Sequence, residues 1–141
     1  AKHAGTINRL TRVLSPLVSN QAIISIQNSI RLNTNSEPQP DLAILRFRDD
    51  CYTDCHPTPA DIFLLIEVSD STLKYDREIK VPLYAKAGIP EVWIANIEAQ
   101  LFEVYRSPSQ DSYQKIQSYS KGEVIQIEML ADIAIAIDEI F

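Results

Sequence analysis

Apolar residues recur at three- and four-residue intervals near the start of the chain, through Ile7, Leu10, Val13, Leu14 and Leu17. Such spacing lines one side of a helix and predicts one over residues 4–15, with Arg9 and Arg12 on its polar side and Pro16 ending or kinking it. From Ala22 to Leu32 the pattern turns β-like, with Ile23, Ile24, Ile26, Ile30 and Leu32 among polar neighbours. Residues 33–40, Asn-Thr-Asn-Ser-Glu-Pro-Gln-Pro, have the composition of a loop, and a short strand over 41–48 follows directly after Pro40. Residues 49–60 are the longest irregular stretch. Ile62 to Val68 is then almost uninterruptedly apolar, which suits a strand buried on both faces. Ser69 to Thr72 offer helix caps, Leu73, Ile79, Leu83 and Ala87 continue a helical pattern, and Gly88 with Pro90 closes it. Pro82 inside that span predicts a kink or two helical pieces. Strands are predicted over 91–96 and 100–106, joined by a hairpin-length connection, then over 112–119 and 124–127. The tail from Ile133 alternates before a short closing helical turn. Helix, strands, helix, strands in this order predict an α/β (α+β) fold, one domain over residues 1–141, built on one central sheet.

One residue does not belong in that pattern. Glu67 interrupts the apolar run near its end, where an unpaired carboxylate costs several kcal/mol in lost hydration, comparable to a domain's whole margin. It must be protonated, paired with a cation or bound to a metal, and Lys74, Arg77 and Lys80 follow closely. Asp41, at the mouth of its strand, is either a turn-former or a ligand. Two carboxylates on adjacent strands can share a hard divalent cation such as Mg²⁺, or Mn²⁺ in its place, with the Val68 carbonyl as a further oxygen. Lys80 could then orient or deprotonate a water, or stabilise charge on a phosphate. Asp76, Lys80 and Tyr84 fall at four-residue steps on one helix face, so Asp76 can hold Lys80. The other reading is an ion pair between Glu67 and Lys80 that neutralises the end of a buried strand. His3 reads as a solvated or capping group.

Composition narrows the field. With 45% hydrophobic and 23% charged residues the chain is ordinarily globular. A net charge of −6 argues against nonspecific attraction to nucleic acid. The imbalance is uneven: residues 1–60 carry six Lys/Arg against five acids. No apolar run approaches the roughly 20 residues that cross a bilayer, and no basic leader precedes an apolar segment, so the reading is of a cytoplasmic protein with no membrane partner. The chain opens on Ala1 with helical pattern almost at once, which suggests that residues precede it. Cys51 and Cys55 lack the second ligand pair of structural zinc and read as reduced, loop-borne thiols. Trp93, Phe102, Tyr105, Tyr113 and Tyr119 read as core residues more readily than as a self-association surface.

A longer set of residues carries a family likeness. Pro40-Asp41, Ile66-Glu67-Val68-Ser69, Asp76-Arg77, Lys80, Tyr84-Ala85 and the run Ala87-Gly88-Ile89-Pro90-Glu91-Val92-Trp93-Ile94 together closely resemble the Uma family of bacterial restriction-endonuclease-like proteins, within the wider PD-(D/E)XK nuclease superfamily. The resemblance runs from about Pro40 to the Tyr105-Arg106 strand, and the ending Asp138-Glu139-Ile140-Phe141 fits it too. It implies a restriction-endonuclease-like core, a central mixed β-sheet flanked by helices, and metal-dependent phosphodiester hydrolysis. By position it implies Asp41 and Glu67 as metal ligands, with Val68, and Asp41, Glu67 and Lys80 as catalytic residues. The superfamily's usual lysine two residues after the second acid is replaced here by Ser69, and Lys80 matches the lysine that stands in for it in the Uma branch. DNA as substrate and a homodimer follow from the same likeness. The alternative it leaves open is a nuclease fold kept as a DNA- or protein-binding module without turnover.

Overall fold

The computed structural model describes residues 1–141. Helix α1 spans Lys2–Val18. Its buried stripe is Thr6, Ile7, Leu10, Leu14 and Val18, so Val18 rather than Leu17 continues the apolar face, and Leu17 is exposed. Pro16 lies inside the helix instead of ending it at 15. It falls in the last turn, where little helix remains to be disrupted, and the chain leaves through Ser19 at φ 40°.

Strands β1 (Ala22–Ile26), β2 (Leu42–Arg46), β3 (Ile62–Ser69), β4 (Glu91–Asn96), β5 (Leu101–Ser109) and β6 (Ser112–Tyr119) form one sheet in that spatial order. Only β3 and β4 run parallel. A helical crossover joins those two, as a parallel pair requires. The β-like run after Ala22 stops at Ile26 because Gln27 takes φ 51° and turns the chain away. Ile30 is nevertheless fully buried, in a loop held by Ile30 N–H to Pro38 O at 3.0 Å.

Alternation along the strands sends residues to two cores. One holds Leu42, Ile44, Leu64, Ile66, Val68, Trp93, Ala95, Phe102 and Val104 beneath α1. It is closed by a separate two-stranded sheet, β7 (Val124–Ile127) with β8 (Leu130–Ala136), which ends in a 3₁₀ turn at Ile137–Glu139. The single sheet expected from the strand pattern is therefore a six-stranded sheet plus a hairpin lying on its face. The opposite core holds Ala43, Leu45, Leu65, Val92, Ile94, Tyr105 and Tyr113 under the crossover. Where Leu45 pairs with Ile62 the register skips Phe63, and this bulge puts Phe63 on the same side as Leu64.

The crossover is one run of three pieces: α2 (Leu73–Tyr75), a π-helical turn (Asp76–Lys80) and α3 (Val81–Lys86). The break expected at Pro82 is a widened turn just before it. Pro82 sits in the first turn of α3, where its missing N–H leaves no gap. The wide turn bonds Val81 N–H to Asp76 O and moves the carbonyls ahead of the proline ring out of register. Gly88 closes the run at φ 79°. No helix is long and apolar enough to cross a membrane.

Candidate metal and active site

Register decides which side chains meet. Leu42 faces Ile66 and Ala43 faces Leu65, so one step outward Asp41 stands opposite Glu67, on the face that carries Ala43 and Leu65. Gln27 N–H bonds Asp41 O at 3.0 Å, so odd-numbered positions of β2 turn their backbone to β1 and even-numbered ones to β3. The next rung of the β2–β3 ladder would then join residues 40 and 68. Residue 40 is a buried proline with no amide hydrogen to give the Val68 carbonyl. On the same rung the Val68 N–H donates to Asp41 Oδ2 at 2.8 Å instead of to a strand carbonyl. The ladder ends there, with Asp41 folded over the opening.

Glu67 is 1% exposed, and its two oxygens have different company. Oε2 accepts the Tyr84 hydroxyl at 2.5 Å and lies 3.3 Å from Lys80 Nζ. Oε1 faces only the Asp41 N–H, at 3.4 Å. Burial pushes the Glu67 carboxyl up from 4.5 to about 7, against the opposing pull of Lys80 and Tyr84, while the charges of Asp41 and Asp76 add to the rise. Burial and the same carboxylate push the Tyr84 phenol well above its usual range, so it remains a donor.

Lys80 leans between Glu67 and Asp76, whose Oδ1 lies 4.0 Å from its amine. Asp76 is buried and anchored by the hydroxyls of Ser69 and of Thr72, the latter at 2.9 Å. Ser69 thus supports the lysine that stands elsewhere in the chain. Asp76, Lys80 and Tyr84 do share a face despite the π turn. A neighbouring pair lies on the same side of the sheet: Arg77 grips the buried carboxylate of Glu103, which also accepts the Tyr105 hydroxyl at 2.6 Å. Burial raises the Glu103 carboxyl, but these hydrogen bonds outweigh it and hold it below the usual range.

Asp41, Glu67 and Lys80 are therefore brought together, and the structure adds a residue that the sequence reading set aside. His3, inside the first turn of α1, is no helix cap; its Nε2 lies 3.3 Å from Asp41 Oδ2. Nothing in a lone histidine marked this, since the contact depends on how α1 lies across the sheet. Cys51 and Cys55 are exposed and form no disulfide, and Cys55 Sγ accepts a hydrogen bond from Arg48 Nη1–H at 3.8 Å.

No group of three or more His, Cys, Asp or Glu side chains is assembled to hold a metal ion. A cation here would rest on two carboxylates and a backbone oxygen, with water completing its shell. That all-oxygen, water-rich set fits Mg²⁺. The carboxyl near 7 also makes the metal-free fold sensitive to pH. Glu67 binds its proton more tightly folded than unfolded, so its contribution is fullest below 4.5, falls between 4.5 and 7, and is lost above. Glu67→Gln, which cannot ionise, is expected to be more stable than wild type by about 3 kcal/mol at pH 8.5 in chelator and equal to it near pH 4. Urea unfolding at both pH values measures this, and equal stability at pH 8.5 would refute it.

No curated protein matches the chain. Among solved structures it is similar to one from Anabaena variabilis ATCC 29413, described as a "putative nuclease belonging to DUF820". The TM-score is 0.76 at 15% identity, covering 100% of this chain and 80% of that one, a likeness of fold. The mixed sheet and its flanking helices thus share the fold of that protein. A family model for Uma2, described as "Putative restriction endonuclease", matches residues 1–138. With nearly its whole length covered by that match, the chain belongs to the Uma2 family.

Proposed function

We propose that this protein is a Mg²⁺-dependent endonuclease that hydrolyses phosphodiester bonds in DNA, with Asp41, Glu67 and the Val68 carbonyl holding the cation. The observation that carries this reading is the corner where β2 stops: two carboxylates on one face beside a backbone carbonyl left without its ladder donor. A bound Mg²⁺ supplies Lewis acidity and charge neutralisation at a phosphate. The chain's own residues do the rest. Tyr84 and Lys80 fix Glu67 Oε2 and leave Oε1 turned to Asp41. Asp76 steadies the Lys80 amine, which keeps positive charge beside the site for an anionic transition state or for orienting a water. Mn²⁺ is the expected substitute, and cleavage of both strands of a duplex would call for two copies of the site, hence a homodimer.

Calorimetric titration with Mg²⁺ or Mn²⁺ is expected to show one site in wild type and none in Asp41→Ala or Glu67→Ala. Equal binding by all three ends the metal reading. The net charge of −6 favours a second reading, a binding module without turnover. Metal binding and tight DNA or protein association with no nicking of supercoiled plasmid would select it.

A further inference from the structure

The two oxygens of Asp41 are treated differently by their surroundings. Oδ2 accepts the Val68 N–H at 2.8 Å and lies 3.3 Å from His3 Nε2, so two donors on one carboxylate oxygen account for both of its lone pairs. Oδ1 accepts nothing from the protein. Because no buried side-chain oxygen in the chain lacks a partner, Oδ1 is open to solvent. An aspartate carboxylate turns easily about its last bond, with a broad, two-fold preference. Anchoring one oxygen from two directions stops that rotation and presents the other. The two anchors come from different parts of the fold: the Val68 N–H from β3, and His3 from α1, whose place is set by the burial of Ile7, Leu10, Leu14 and Val18.

Building on the metal reading above, we infer that His3 is a positioning residue of the metal site: its Nε2–H donates to Asp41 Oδ2 and turns Oδ1 toward the cation. His3 is 39% exposed and Asp41 16%, so the pair lies where the site opens to water. A contact that accessible contributes little to folding. Outer partners of metal ligands, by contrast, typically affect metal affinity by about 10–100-fold.

The experiment is a Mn²⁺ titration of wild type, His3→Ala, His3→Gln and Asp41→Ala, read by electron paramagnetic resonance of the free ion and by calorimetry. Thermal unfolding in chelator is followed in parallel. His3→Ala is expected to bind Mn²⁺ about 10-fold or more weakly with an unchanged metal-free melting temperature. His3→Gln, whose amide N–H reaches similarly far, is expected to stay within about threefold of wild type, and Asp41→Ala to bind none. Wild-type affinity in His3→Ala, with Asp41→Ala silent, overturns the role of His3 while sparing the metal site. Equal weakness of the Ala and Gln variants also overturns it, since the imidazole itself would then be required as a ligand. A wild type that binds no Mn²⁺ removes the metal reading and this role with it.

Discussion

Lys80→Ala is expected to slow plasmid nicking by about 10²–10⁴-fold while leaving the cation site in place. The amine lies 3.3 Å from Glu67 Oε2 and 4.0 Å from Asp76 Oδ1, and no other lysine or arginine pairs with Glu67. Its loss leaves Glu67 with the Tyr84 hydroxyl and the Asp41 N–H, so the carboxylate is not stranded without hydrogen bonds. What it loses is a neighbouring positive charge that holds its proton affinity down, so the carboxyl of the variant titrates above the value near 7 in wild type. Assays at about pH 9 keep Glu67 more fully ionised and separate this effect from chemistry. There, Mn²⁺ affinity equal to or above that of wild type, with nicking nearly abolished, assigns the lysine to turnover. Unchanged nicking would reduce Lys80 to a counter-ion for Glu67.

Arg106→Ala is expected to cost about 3–5 kcal/mol of stability, a large part of the 5–15 kcal/mol that holds a domain together. The reason lies across the sheet from the candidate site. Glu91 is 0% exposed and gathers three hydrogen-bond donors, Trp93 Nε1–H at 2.8 Å, Arg106 Nε–H at 2.9 Å and the Glu128 N–H at 2.9 Å, with the Arg106 Nη2 paired to it at 2.8 Å. Burial raises its carboxyl, and these partners oppose the rise. Arg106 also reaches the Gln126 carbonyl at 2.5 Å, so the cluster fastens the β7–β8 hairpin onto β4 and β5. Without the guanidinium the buried Glu91 carboxylate keeps the Trp93 and Glu128 N–H groups but loses its one cationic partner. Chemical unfolding should register the loss, and hydrogen exchange should show β7 and β8 opening first. Adding Glu91→Gln, which removes the charge but keeps an oxygen for Trp93, should recover part of it. A loss below about 1 kcal/mol would mean that the cluster is no more than a surface pair.

Much of this architecture is legible in the sequence because burial writes its period into the chain. The run Ile62–Val68, apolar but for Glu67, lies in β3, buried at every position, and the stripe through Ile7, Leu10 and Leu14 is the inner side of α1. The aromatic residues Trp93, Phe102, Tyr105 and Tyr113 are buried, as alternating strand aromatics should be. Glu67 stands out for the same reason in reverse, a charge inside an apolar run. Other features depend on relations between distant segments that no local pattern encodes. Gln27 ends β1 through its backbone conformation, though glutamine has no special preference for it. The hairpin β7–β8 looks like any other pair of strands until Glu91 and Arg106 tie it to a face of the main sheet. Arg77 with Glu103 and His3 with Asp41 are pairs made by topology, 26 and 38 residues apart. Glu67 is visible because burial makes an acid conspicuous, and Asp41 by its place at a strand's mouth and the family likeness; a half-exposed histidine does not announce itself.

The Pro40 ring has no group that could bind, polarise or donate, yet it shapes the corner by subtraction. Any other amino acid there would bring a hydrogen to the edge of β3 and zip the sheet shut over the Val68 oxygen. The imino acid withholds that stitch, and what would be a seam becomes a socket. The neighbouring Pro40 and Asp41 are thus two halves of one device, the first vacating a place and the second bordering it.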